Sequence, residues 1–158
     1  MKICHVYPPT VHVHHGALES RRCEGRGMND ANAPYHAHVY YQPGQREQAD
    51  ALRLRLIAMK QAGEVPGLLF VGQLRDGKAG PHPISQFEFH YLKRALSTVL
   101  EILESSGLTS LVHPLTDDDL ADHTTLATWI GDPIELDLST LDPPGQNKGV
   151  PRFGKTDF

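Results

Sequence analysis

The stretch Tyr35-His36-Ala37-His38-Val39-Tyr40-Tyr41 decides the fold. Aromatic and β-branched residues favour a strand here, and Pro34 marks its start. Side chains of a strand alternate between two faces. Tyr35, Ala37, Val39 and Tyr41 therefore share one face, while His36, His38 and Tyr40 share the other. One side is suited to a core and the other collects imidazoles.

Working outward, Arg46 to Ala62 reads as a helix. Ala49, Leu52, Leu56 and Met59 recur at three- and four-residue steps, and Gly63 is a plausible C-cap. Leu68 to Leu74 reads as a short apolar strand, and Asp76-Gly77 as a turn. Ile84 to Tyr91 alternates like a strand. Leu92, Leu96, Val99, Leu100 and Leu103 form the stripe of a second helix, with Gly107 past its end. Thr109 to His113 is a fourth strand, stopped by Pro114. The order β-α-β-β-α-β is the ferredoxin-like split pattern, an α+β fold. Right-handed crossovers then place both helices on one face of a four-stranded antiparallel sheet, with the first and third strands central. Leu136 and Leu138 alternate weakly and suggest an additional edge strand.

The helices need an apolar floor, which Ala37, Val39, Phe87 and Phe89 supply. The opposite face then gathers His36, His38, Tyr40, Gln86, Glu88 and His90 from two adjacent strands. His113 ends the strand expected beside the first. A solvated sheet face ordinarily carries Lys, Glu, Thr and Ser. An H-x-H pair alone is a weak signal, since residues two apart on any strand share a face. His113 and Glu88 beside it point to a metal, and imidazole suits iron, zinc, copper or nickel. Two histidines and a carboxylate with open positions would indicate non-haem Fe(II). His82 lies in Gly80-Pro81-His82-Pro83, where two prolines stiffen the backbone; such a loop aims a side chain well, or merely ends a strand. His123 follows an acidic run and reads, by itself, as part of a surface helix. Trp129 reads as a core or lid residue, and His90 as structural or exposed.

The chain has 158 residues, enough for one domain with a real core. With 39% apolar and 22% charged residues and a net charge of −4, nothing calls for nucleic acid or an acidic membrane surface. No apolar run reaches membrane-helix length, and the start lacks the apolar stretch of a secretory signal. Cys4 and Cys23 suggest no disulfide framework, so a reducing cytoplasm is expected. Ten histidines are an excess. His5, His12, His14 and His15 fall in residues 1–33, which carry no sustained period. That segment is expected to be a flexible or non-native extension, with Met28 an alternative start and residues 1–27 dispensable. The domain is expected over 34–141 and a solvated tail over 142–158. G-x-G-x-x-G, C-x-x-C and G-x-S-x-G patterns are absent from the sequence.

Three stretches carry a resemblance: YHAHVYY at 35–41, VGQLRDGKAGPHPISQFEF at 71–89, and LVHPLTDDDLADHTTLATWIGDPIELDL at 111–138. Residues 35 to about 141 resemble the DOPA 4,5-dioxygenase family of fungi and bacteria. The resemblance implies a ferredoxin-like domain, often dimeric, that uses iron and O2 to open a catechol ring beside its hydroxyls. The histidines within the matching motifs are His36, His38, His82, His113 and His123. Strand geometry favours His36, His38 and His113 as metal ligands, leaving His82 and His123 as acid/base candidates. Glu88 is expected as a further ligand or a partner fixing an imidazole tautomer, or in contact with substrate, and Tyr40 in contact with substrate. The expected cofactor is Fe(II), the substrate a catechol such as DOPA, and the assembly a homodimer that covers the open face. Two rival readings exist. One is a haem or cofactor-free monooxygenase with an apolar pocket on the same face, and the other a non-catalytic metal- or ligand-binding module.

Overall fold

The structure, a computed structural model, describes residues 31–145. Most of the expected N-terminal extension and the tail beyond Gly145 lie outside the described residues, as do His5, His12, His14 and His15. The elements are β1 (Pro34–Tyr40), α1 (Arg46–Ala62), β2 (Leu68–Val71), β3 (Gln86–Leu92), α2 (Leu96–Ser106), β4 (Ser110–Pro114), α3 (Asp119–His123) and β5 (Thr128–Ile130). They build an α+β fold around a five-stranded sheet of order β2-β3-β1-β4-β5 with antiparallel neighbours. Its first four strands and two long helices reproduce the ferredoxin-like βαββαβ order. No helix among the described residues is long and apolar enough to cross a membrane.

One face of the sheet is the core. Ala37, Val39, Phe87, Phe89 and Tyr91 pack with Ala49, Leu52 and Leu56 of α1 and Val99, Ile102 and Leu103 of α2. The helix α1 has the bounds its periodicity predicts. It ends at Gly63, whose φ of 69° is left-handed and costs a glycine little. Arg53, on the buried stripe, is spent on the chain after β2: its Nε donates to the Gly72 carbonyl at 2.9 Å and its Nη2 to Gln73 Oε1 at 2.6 Å.

That contact explains why β2 stops at Val71 and does not continue to Leu74, since the Gly72 carbonyl is taken by α1 and not by a strand. Leu92 belongs to β3, because it pairs with Pro34 and its N–H reaches the Gly67 carbonyl at 2.9 Å. The second helix accordingly starts at Leu96, after a single 3-10 turn over Lys93–Ala95. The additional edge strand is real but lies elsewhere. Thr128–Ile130 pairs with β4, setting Trp129 opposite Leu111, while Leu138–Thr140 forms a 3-10 turn. Asp137 draws the Ser139 hydroxyl to its carboxylate at 2.6 Å and the Thr140 hydroxyl to its carbonyl at 2.9 Å. Such local side-chain bonds compete with a strand ladder.

The segment after β4 crosses the second sheet face as an arm. The Asp137 N–H bonds to the Pro81 carbonyl at 2.9 Å, and the Gly145 N–H to the Asp117 carbonyl at 2.7 Å. The histidine-bearing face is thereby roofed within one chain.

Candidate metal centre and its family

The register of the sheet dictates which imidazoles meet. His36 on β1 lies between His90 of β3 and His113 of β4, and His38 lies beside Glu88. His36 and His90 stack in parallel with ring centroids 3.9 Å apart. His38 Nε2 and His113 Nε2 approach to 3.2 Å.

Two further histidines come from outside the sheet. His82 sits on a tight reversal in which Ala79 and His82 exchange both backbone hydrogen bonds at 3.0 Å. The turn before it is pinned by Asp76, which accepts from the Tyr41 hydroxyl at 2.9 Å and pairs with Arg46. His123 ends α3, whose start is capped by the Asp118 side chain accepting from the Ala121 N–H at 2.9 Å. The buried Asp122 anchors the same turn by accepting from the Thr116 N–H and hydroxyl, both at 2.7 Å.

Backbone carbonyls settle two tautomers, because a carbonyl can only accept. Nδ1 of His113 lies 2.6 Å from the Pro114 carbonyl, and Nδ1 of His123 lies 2.9 Å from the Asp119 carbonyl. Each Nδ1 must therefore carry the proton, and each neutral ring keeps its lone pair on Nε2. Ligating histidines are held in this way in metal sites. The Tyr40 hydroxyl lies 2.8 Å from Nδ1 of His82. Burial raises the Tyr40 phenol above its usual range, so it stays protonated.

Burial disfavours charge on three of these imidazoles. Burial, followed by the neighbouring imidazoles, holds His38 well below the ordinary histidine range. Burial and then His123 do the same to His113. Burial pushes His82 down to about 3, reinforced by His123 and opposed by Asp119. Neutral imidazole is the form that binds a metal.

A metal fits this donor set on three counts. One potential ligand atom from each of His36, His38 and His113 lies within 4.8 Å of the others, and the same holds for His38, His82 and His123 and for His36, Glu88 and His90. Two nitrogens each about 2.1 Å from an ion and at a right angle are roughly 3 Å apart, close to the separation between His38 and His113. His38 Nδ1, His82 Nε2 and Glu88 Oε1 are buried with no hydrogen-bond partner among the described residues. Buried polar atoms without partners are costly unless something else satisfies them. The parallel stack disfavours His36 and His90 as ligands of the same ion, since parallel rings 3.9 Å apart cannot both have one atom in plane.

The sequence pattern of the Dopa 4,5-dioxygenase family matches residues 35–140. The chain belongs to this family. The "DOPA 4,5-dioxygenase" of Amanita muscaria is 32% identical over 113 residues, which are 68% of this chain and 49% of that protein. The chain thus spans about half the length of that relative. An uncharacterised 21.2 kDa protein of Botryotinia fuckeliana is 27% identical over 73% of this chain and 67% of its own. A crystal structure from Nostoc punctiforme, provisionally assigned as a dioxygenase, superposes with a TM-score of 0.60 at 29% identity. It covers 70% of this chain and 91% of its own.

In this member of the dioxygenase family the candidate residues converge on one cavity of about 320 Å³. His36, His38, His82, Glu88, His113 and His123 all reach its wall. Tyr40, expected against substrate, is absent from that wall, because its ring lies under His82 and stacks on Trp129 with centroids 5.7 Å apart. Its hydroxyl orients His82 instead. Trp129 packs on that tyrosine from β5. His123, which reads from sequence as part of a surface helix, is only 9% exposed. His90 is fully buried and backs His36, with Glu88 Oε2 at 3.6 Å from its Nε2. Asp119 and Asp142 also line the wall, beside Leu115 and Leu141, without having been singled out. The i, i+4 spacing of Asp119 and His123 in DDDLADHT was the available signal for the first. The second requires knowing where the arm returns.

Proposed function

We propose that this domain is a non-haem Fe(II)-dependent extradiol dioxygenase that opens catechols, such as DOPA, to muconic semialdehyde-type products. The observation that carries the reading is the cluster of buried imidazoles around one cavity in a chain of this family. Both oxygen atoms of O2 end in the product, so the reaction needs no outside reductant. A bound Fe(II) would supply Lewis acidity toward two adjacent hydroxyls and one-electron chemistry toward O2.

His36, His38 and His113 are the proposed ligands. The closeness of His38 and His113 supports those two most directly. His123 presents a lone pair on Nε2 and is the proposed base for a catechol hydroxyl. With the Tyr40 hydroxyl donating to its Nδ1, neutral His82 is proposed to carry its proton on Nε2, toward the cavity. His82 is then the proposed hydrogen-bond donor toward oxygen on the opening ring, and acts as an acid there once it has taken up a proton released by the catechol. Glu88 is proposed to contact substrate or to hold an imidazole beside it.

The cavity wall is rich in imidazoles and carboxylates, which disfavours the monooxygenase reading with its apolar pocket. Roofing by residues 115–145 means that a homodimer is not needed to close the site. Association of two copies is a separate proposal, tested by light scattering at micromolar concentration.

The deciding experiment is anaerobic Fe(II) loading followed by O2 and a panel of catechols. The expected result is a yellow semialdehyde with one O2 consumed per ring opened. Bound iron without O2 uptake on any catechol would leave a metal-binding module and overturn the enzyme.

A further inference from the structure

Of the imidazoles on the cavity wall, His82 is 0% exposed, His113 1% and His38 2%. A ring-sized ligand reaches them only if part of the wall moves. The strands are held by their ladders, and the reversal that carries His82 is tied to Tyr40 and to itself. The wall also contains Thr140, Leu141 and Asp142, on a segment fastened differently. Asp142 is followed by Pro143 and Pro144, which stiffen the chain and have no N–H to offer. The N–H groups of Asp142 and Gly145 tie this end down. The first donates to Asp119 Oδ2 at 3.2 Å and the second to the Asp117 carbonyl at 2.7 Å. The other end is fixed on the His82 loop by Asp137, through its N–H to the Pro81 carbonyl and its carboxylate to Lys78. Between the two ends lies the single 3-10 turn Leu138–Thr140.

We infer that Asp119 is a positioning residue that couples His123 to a lid over the cavity, residues 140–145, hinged at that turn. Asp119 touches both parts. Its Oδ2 accepts the Asp142 N–H, and its Oδ1 lies 3.4 Å from Nδ1 of His123, the nitrogen that is also 2.9 Å from the Asp119 carbonyl. One side chain thus fastens the lid and steadies the ring proposed as base. A lid closed over a bound ligand excludes water and fixes the surrounding groups in the same step. The lid does not depend on what the cavity binds, whereas its coupling to His123 rests on the catechol reading above.

The test compares Asp142→Pro, which deletes the latching N–H, with Asp142→Ala, which keeps it. Leu141 already has φ −81° and ψ 145°, the extended conformation that a residue before proline requires. In the metal-free protein, amide exchange at Gly145 should be roughly tenfold faster in the proline variant than in the alanine variant, about the worth of one hydrogen bond to a charged acceptor. On the Fe(II)-loaded protein without O2, 4-nitrocatechol should enter and leave faster in the proline variant by a similar factor. With O2, Asp142→Pro should chiefly raise KM, and Asp119→Ala should lower kcat as well. Asp119→Asn has a single amide oxygen for two partners, so it should show one of the two losses and not both. Equal exchange and equal release in the two Asp142 variants would overturn the lid. Fast release with unchanged kcat in Asp119→Ala, or both losses in full in Asp119→Asn, would overturn the coupling to His123. If no catechol binds while Gly145 exchange still responds to Asp142→Pro, the catechol reading falls and the lid stands.

Discussion

Nε2 of His38 and Nε2 of His113 lie 3.2 Å apart although 75 residues separate them in the chain. Two neutral imidazoles brought edge to edge in a buried site either share one proton or share one ion. His113 has already committed its Nδ1 proton to the Pro114 carbonyl. Its Nε2 therefore offers a lone pair, which accepts a hydrogen bond from His38 in the metal-free protein or is donated to an ion in the loaded one. His38→Ala and His113→Ala should each lose iron and catechol cleavage together. Full iron content and full turnover in both variants would remove this pair from the metal site.

His82 and His123 should behave differently. Their alanine variants should retain much of the iron while turnover falls by about 10²–10⁴, the usual worth of a positioned acid or base. The geometry also permits a rival arrangement, since His38, His82 and His123 form a trio of their own. Iron content measured on His82→Ala and His123→Ala separates the two, because loss of iron would make either residue a ligand.

Tyr40 acts through His82, so removing its hydroxyl should have a selective effect. Tyr40→Phe keeps the ring and its packing on Trp129, and loses only the bond to Nδ1. Iron content should be unchanged, while turnover falls by roughly 10–100-fold, as for other outer partners of functional histidines. The pH profile of turnover should shift as well, which a packing role would not cause. An unchanged rate and profile would assign the hydroxyl to structure alone.

Acid should destabilise the metal-free protein. His38, His82 and His113 are all held below the ordinary histidine value in the folded chain, chiefly by burial. The unfolded chain therefore binds more protons once the pH falls below about 6.5, so folding is at full strength above that value and weakens below it. Melting temperatures of the metal-free protein should decline from pH 7 to pH 5, and bound iron should raise them throughout that range. A flat melting temperature across that interval would mean that the imidazoles are not held neutral.

These particulars show what the sequence made legible. The helix α1 could be bounded because its apolar period and Gly63 act locally. The two faces of β1 and β3 followed from alternation, and with them the meeting of His36, His38, Glu88 and His113. Thr128–Ile130 was missed because a three-residue strand has no period of its own and is fixed by its pairing with β4. The burial of His123 escapes a local reading for a related reason, since it depends on where the segment after β4 returns. His90, readable as structural or exposed, is buried against the His36 ring and Phe70 of β2, with centroids 3.9 and 4.9 Å away.

Phe89 and His90 are adjacent in the chain and opposite in the fold, which makes them the sharpest test of that alternation. Phe89 is fully buried among the helix-facing core residues, and His90 is fully buried on the face that bears the candidate metal site. Phe89→Ala opens a cavity in a packed core and should cost about 3–5 kcal/mol of folding stability, read by denaturant titration of the metal-free protein. His90→Ala should leave the α1 and α2 packing intact, but it removes the ring on which His36 stacks. Its main effect should be on the cluster, as a roughly 10–100-fold loss of iron affinity, the range seen when the support of a ligand is removed. Restoring an aromatic ring with His90→Phe should recover part of that affinity if stacking is what holds His36. If Phe89→Ala weakened iron binding while leaving stability untouched, or His90→Ala unfolded the chain with normal iron affinity in what survived, the assignment of the two faces would be reversed.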